Sequence, residues 1–164
     1  MYEEATPHGS DWWYYTVTGD DAVFVRQQSG QLEWRATTDA VDTLHERLRL
    51  NDDLDDIFAT FPDDSPLYAA RRAFPGLRVV SDPFFPCLVS FICSARTTVD
   101  RIHDLTTHLA RELGDTVTDE GSTYHAFPRP EQLETASETD LRQLGLGFRA
   151  PYVVERREWF RPAS

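Results

Sequence analysis

The stretch Phe85-Pro-Cys-Leu-Val-Ser-Phe-Ile-Cys-Ser-Ala-Arg-Thr-Thr-Val-Asp-Arg-Ile-His103 decides the fold. It begins as a nearly all-apolar run, Cys87 to Cys93, breaks at a small polar turn, Ser94 to Thr97, and resumes as an amphipathic pattern. Leu88 and Ile92, and Cys87, Phe91 and Ala95, stack at spacing four, which predicts a buried helix over Cys87 to Ala95, the most buried of the chain. Pro86 suits the first turn of that helix, where no N–H is needed. Val99, Ile102, Leu105, Leu109 and Leu113 then recur at three and four, the signature of a second helix with one apolar face. Thr97 with Asp100 three residues on reads as a capping box with Asp in place of Glu. The turn thus offers free backbone N–H groups and Arg96 beside a helix N-terminus, a setting that suits a phosphate.

Outward from this stretch the pattern changes. Residues 11 to 36 alternate with a period of two: Trp12 to Val17, Ala22 to Gln27 and Gln31 to Ala36, separated by Gly19-Asp20-Asp21 and Ser29-Gly30. That predicts an antiparallel meander of three strands. Trp12, Trp13, Tyr14 and Tyr15 resemble a stacking platform for bases. Packing within the sheet is the better reading, because platforms sit in basic grooves.

From Thr38-Asp39 the period becomes helical. One helix carries Val41, Leu44, Leu48 and Leu50, with His45 on its polar side; a second starts at Asn51-Asp52 and runs to Phe61. A third starts at Ser65-Pro66 and ends at Pro75-Gly76, followed by a short extended piece, Leu77 to Val80. Asp82-Pro83 marks a boundary, giving expected domains at 1–82 and 83–164. After Gly114-Asp115 a loop is expected, then a short helix from Pro130 to Leu133. A helix capped by Ser137 and Asp140 then runs to Gly145, and a last one runs through Val153 and Val154 to Phe160. The fold class is α+β, a small antiparallel sheet followed by helices.

The chain has 164 residues, of which 40% are apolar and 12% aromatic. That length suffices to bury roughly 70% of the unfolded surface. No segment reaches the ~20 apolar residues of a membrane span. The acidic start, Met-Tyr-Glu-Glu, lacks the basic and apolar regions of a signal peptide. Cys87 and Cys93 have neither metal spacing nor a disulfide framework, so no metal and no cofactor are expected, and the reducing cytoplasm is the expected compartment. Net charge is −12, and all 16 basic residues are arginines; there is no lysine. Such acidity argues against broad phosphate binding. Its spread along the chain reads as halophilic adaptation rather than an acidic tail.

Several stretches, in order, resemble the 8-oxoguanine DNA glycosylases, members of the helix-hairpin-helix superfamily. They are Leu50 to Phe58, Phe74 to Val80, Asp82-Pro83, Phe85 to Ser94, Arg101-Ile102, Tyr124 to Pro128 and Leu144-Gly-Leu-Gly-Phe-Arg-Ala-Pro-Tyr-Val153. The ordered set covers nearly the whole chain and is more specific than any single motif. The resemblance implies base excision repair: duplex DNA is bent, an oxidised guanine is flipped out, and its glycosidic bond is cut, since the reacting atoms are unreachable inside a stacked duplex. It further implies an N-terminal sheet domain followed by the first helices of an all-α domain. The turn Ser94-Ala95-Arg96-Thr97-Thr98 corresponds to the family's DNA-inserted turn, with Arg96 where the family has a gap-filling Asn. Arg101 matches an arginine at the opposite base, Phe148 the tyrosine wedge, and Arg149 a second arginine at the estranged base.

The family's catalytic lysine, its helix-hairpin-helix and its base-reading N-terminal segment have no counterpart in this sequence. No catalytic residue is therefore assigned, and a truncated form, inactive alone, is expected. The expected DNA-contacting residues are Arg96, Thr97, Arg101, Phe148 and Arg149. The expected partner is double-stranded DNA containing oxidised guanine, bound by a monomer with no membrane association. A damaged-DNA-binding module without chemistry and a non-functional acidic α+β fragment are the alternatives.

Overall fold

The computed structural model describes residues 6–8, 11–38, 40–62 and 66–157. Met1, Asp39, Ser65 and Phe160, each part of an expectation above, lie outside the described residues, as does the side chain of Trp12. By contacts the chain forms two compact units, residues 1–39 with 83–164, and residues 40–82. The strands thus group with the helices after Pro83, which differs from the single division expected at 82/83. The physical reason is a second hairpin, described below, that joins the first sheet in one core.

In the first unit, β1 (Thr6–His8), β2 (Asp11–Thr18), β3 (Asp21–Gln28) and β4 (Gln31–Ala36) form one antiparallel sheet in sequential order. The three alternating strands are where the period-two pattern put them. The short edge strand β1 is additional; Pro7 there donates nothing, which an edge tolerates. Thr18 pairs with Asp21 and Gln28 with Gln31, so both hairpins have two-residue turns. Ser29 and Gly30 both have positive φ, the conformation that matches the twist of the strands. Tyr15 is buried and Tyr14 exposed, so the aromatic run alternates between faces and packs as a sheet.

β5 (Thr116–Asp119) and β6 (Ser122–His125) form a hairpin where a loop was expected. Val117 and Tyr124 pair across it and share a core with Tyr15, Ala22 and Phe24. The Tyr124 ring meets Tyr15 at 4.8 Å and Phe24 at 4.9 Å, both edge-on. Arg35 lies over Phe24 at 3.8 Å and pairs with Asp119, tying β4 to β5.

The remainder of this unit is helical: α4 (Phe84–Cys93), α5 (Val99–Leu113), α6 (Pro130–Glu134), α7 (Glu138–Leu141) and α8 (Ala150–Arg157). Leu105, Leu109, Leu133, Leu141 and Leu146 are fully enclosed and make its core. α4 begins three residues earlier than expected and buries Phe85, Val89 and Cys93. Cys87 and Phe91 are exposed, and Leu88 and Ile92 are half-buried. α4 thus buries three of its ten residues, a share close to that of α5, which encloses four of fifteen, Leu105, Thr106, Leu109 and Ala110. Val99 is also exposed, since the apolar face of α5 starts at Ile102. Thr98, not Thr97, caps α5: its hydroxyl accepts from the Arg101 N–H at 3.4 Å. α7 opens with the expected box, Asp140 accepting from Ser137 N–H at 2.8 Å and from its hydroxyl at 2.7 Å.

The second unit holds α1 (Val41–Leu48), α2 (Leu54–Ala59) and α3 (Pro66–Ala73). Ala40 precedes α1 with no side-chain cap, and Asp53, one residue past the expected start, caps α2 through the N–H groups of Asp55 and Asp56. His45 bonds Asn51 at 3.0 Å. Leu77 to Val80 forms no strand, and Leu77, Val79 and Val80 are exposed. Among the described residues no helix is long and apolar enough to cross a membrane.

Candidate functional site

Two turns build the site, both inside the first unit. The first joins α4 to α5. Ser94 closes α4, its N–H reaching the Ser90 carbonyl at 2.9 Å and its hydroxyl the Phe91 carbonyl at 2.7 Å. The chain then reverses at Arg96, whose φ of 53° is uncommon for a residue with a side chain. Extended backbone at Thr98 starts α5. Arg96 is exposed, and Thr97 beside it is half-buried.

The second turn joins α7 to α8. Helical backbone continues past α7 to Leu144 and breaks at Gly145, with φ 97°. A Cβ there would lie 2.9 Å from Nη2 at the movable end of Arg101 and 3.3 Å from Cδ2 of Leu105, and the positive φ itself favours glycine. A 3₁₀ turn, Gly147–Arg149, then feeds α8. Phe148 stands half out of the surface at 51% exposure, while Arg149 behind it is 8% exposed.

Arg149 joins the two turns. Its Nε donates to the Ala95 carbonyl at 3.0 Å, and its Nη2 donates to the same oxygen and, at 3.5 Å, to the Arg96 carbonyl. Its guanidinium also lies 4.5 Å from the Phe148 ring centre. The cation thus holds the carbonyls of the strained turn while backing the exposed ring. Burial pushes the Cys93 thiol up to about 11, with the Arg149 charge pulling the other way. At neutral pH that thiol is protonated and is no nucleophile.

Of the sequence-predicted residues, Arg96, Phe148 and Arg149 are brought together, but Arg149 is turned inward onto backbone. Arg101 lies a turn into α5, 3.8 Å from Asp104, and lines a groove of about 360 Å³ with His108, Glu112, Gln143, Leu144 and Gly145. A second groove, about 320 Å³, is lined by Leu88, Phe91, Ile92, Ala95, Phe148, Arg149, Tyr152 and Arg156. Sequence reading placed Gly145 only as a helix end and gave Tyr152 no role of its own. Tyr152 follows Phe148 by four, the spacing that places two rings side by side on a helical path. Among the described residues no group of three or more His, Cys, Asp or Glu is set to hold a metal. The arrangement is suited to inserting an aromatic ring and a cation into a partner.

No family model matches the chain. It is 34% identical over 120 residues to an N-glycosylase/DNA lyase of Saccharomyces cerevisiae, covering 71% of this chain and 32% of that protein. It is 33% identical over 159 residues to a probable N-glycosylase/DNA lyase of Methanothermobacter thermautotrophicus, covering 81% of this chain and 50% of that one. The solved structure of MBOgg1 with a low-affinity DNA ligand superposes with a TM-score of 0.80 at 26% identity, over 93% of this chain and 53% of its own. A Clostridium acetobutylicum 8-oxoguanine glycosylase/lyase, bound to DNA with cytosine opposite 8-oxoG, shares the fold at TM-score 0.79 and 20% identity. The chain spans half or less of the length of these two curated relatives.

Proposed function

The chain resembles the 8-oxoguanine DNA glycosylase family in sequence and fold along about half of a relative's length, and from that premise we propose that it acts in base excision repair. In this reading it supplies the lesion-facing surface of a DNA N-glycosylase/lyase that works on duplex DNA carrying oxidised guanine. One observation carries the proposal: Arg149 binds the Ala95 carbonyl across 54 residues of sequence, so the turn bearing Arg96 and the turn bearing Phe148 form one unit. Phe148 is the wedge that occupies the vacated stack. Arg96 is the donor at the orphaned base, and Arg101 serves the same strand from its own groove. Base flipping costs a few kcal/mol of unstacking, and a preformed wedge offsets part of that cost.

The chemistry is a separate matter. Lyase action through a Schiff base needs an amine held near the sugar. The sequence has no lysine, so no side chain of this chain supplies one. The alternative reading, DNA recognition without chemistry in this chain, is favoured by that absence of lysine.

A salt titration of binding, paired with borohydride trapping, tests the proposal. Binding of full-length chain to an 8-oxoguanine duplex should exceed binding to undamaged duplex and fall with salt. Arg96→Ala should weaken binding to the damaged duplex more than to the undamaged one, as loss of a base contact does. No borohydride adduct should form on abasic duplex. Equal binding to damaged and undamaged DNA overturns the lesion-facing reading. An adduct lost on blocking the Met1 amine, whose ordinary pKa is about 7.7–8.0, overturns the absence of chemistry.

A further inference from the structure

The turn that carries Phe148 has little of its own to hold it. Gly145 and Gly147 both have positive φ, and Leu146 between them is fully enclosed. Gly147 adopts φ 57° and ψ −125°, and a Cβ there would meet nothing within 4 Å. No steric contact guides the backbone at that point, and glycine is the residue with the most conformational freedom to lose. What fixes the turn is its carbonyl. The Gly147 oxygen accepts from the Ala150 N–H and, at 3.1 Å, from Nη1 of Arg142. Arg142 is itself held: Nε and Nη2 both donate to Oε1 of Glu138, at 2.9 Å and 2.8 Å. Glu138 precedes Arg142 by four residues, the favourable order for such a pair along a helix.

An exposed ion pair contributes little to stability. The two side chains here are nearly half exposed, at 47% and 46%, so the consequence of the pair is geometric. A planar guanidinium with one edge on Glu138 and its remaining nitrogen on Gly147 cannot rotate without breaking a bond at one end. We propose that Arg142, locked by Glu138, is a positioning residue: it fixes the Gly147 carbonyl from the solvent side, and with it the angle at which Phe148 leaves the surface. Arg149 holds the other side of Phe148 from within, through the Ala95 carbonyl. The ring thus projects from backbone held on both sides, and its direction is set before any duplex arrives. Preorganisation of this kind lowers the cost of binding. This inference rests on the wedge role proposed above for Phe148 and deepens it by naming the residue that aims the wedge.

Two readouts on the full chain keep the positioning role apart from the wedge role. Amide exchange at Ala150, whose N–H shares the Gly147 carbonyl, follows the turn in the free chain. Fluorescence of 2-aminopurine placed beside 8-oxoguanine in a duplex follows unstacking by the wedge. Arg142→Met should leave the melting of the chain near that of the parent and speed exchange at Ala150. It should also reduce the 2-aminopurine signal and weaken binding to the damaged duplex, relative to the undamaged one, by about tenfold, the size of one hydrogen bond to a charged group. Arg142→Lys keeps the charge but not the fork, so it should restore neither readout. Restoration by Lys, with equal weakening by Met on both duplexes, makes Arg142 a phosphate contact and overturns the inference. Unchanged exchange at Ala150 in Arg142→Met overturns it as well. A parent chain that gives no 2-aminopurine response overturns the wedge role of Phe148 instead, while faster exchange in Arg142→Met still supports Arg142 as the residue that fixes the turn.

Discussion

The helices after Pro83 and the segment from Ala40 to Asp82 carry apolar residues at much the same spacing, yet they are held together differently. In the first, Leu105, Leu109, Leu133, Leu141 and Leu146 are wholly withdrawn from water. In the second, Ala40 and Leu44 are enclosed, while α2 and α3 bury no residue at all. Polar bridges hold that segment instead. Arg78 donates to the carbonyls of Arg49 at 2.6 Å and Asp52 at 3.0 Å, Ser81 N–H reaches the Arg47 carbonyl at 2.7 Å, and Arg71 pairs with Asp55 at 2.9 Å. Periodicity therefore reports that a helix has an apolar face, and says nothing about whether enough neighbours exist to cover it.

The difference is easiest to break in the core. Leu105→Ala should destabilise the protein by about 2–5 kcal/mol, the range for emptying an enclosed leucine site. Leu67→Ala in α3, where the side chain is 54% exposed, should fall within about 0.5 kcal/mol. Urea unfolding of both variants checks the contrast, and equal losses would erase it.

Gly145→Ala comes next. It combines strain at φ 97° with a Cβ 2.9 Å from Arg101 and 3.3 Å from Leu105. A cost of about 1–3 kcal/mol is expected, with displacement of Arg101 visible in its side-chain NMR signals. A neutral effect would mean that the Arg101 groove is not shaped by this glycine.

Ser137→Ala sharpens the comparison at the smallest scale. Loss of the box at α7 should lower Tm by about 2–4 °C at neutral pH. The Ser137 hydroxyl and N–H hold the Asp140 carboxyl below the usual carboxylate range. A depressed folded pKa contributes stability that is full above the unfolded value, about 3.9, and is lost as pH falls through the folded one. The Tm gap between variant and parent should therefore narrow on acidification below about pH 4.

Much of this was legible in the sequence because it is local. Three strands, the extent of α5 and the Ser137 box follow from periods and spacings within a few residues. The β5–β6 hairpin escaped because its turn, Glu120-Gly121, has positive φ at both positions without the Asn-Gly or Asp-Gly signature. The orientation of α4 escaped because a helix apolar on two sides gives no preferred face. The Thr97–Asp100 spacing predicts a cap at Thr97, whereas the backbone turns one residue later, at Thr98. The inward setting of Arg149 depends on a carbonyl 54 residues away, which no local pattern encodes.

The claim that Arg149 makes one DNA-facing unit of two turns is tested most directly by Arg149→Met. The measurement is anisotropy of the full chain on an 8-oxoguanine duplex and on its undamaged counterpart, beside Arg96→Ala and Phe148→Ala. The account predicts that Arg149→Met, still folded by circular dichroism, abolishes the preference for the damaged duplex as completely as the other two combined. Unchanged preference in Arg149→Met, with loss in Phe148→Ala, would contradict it.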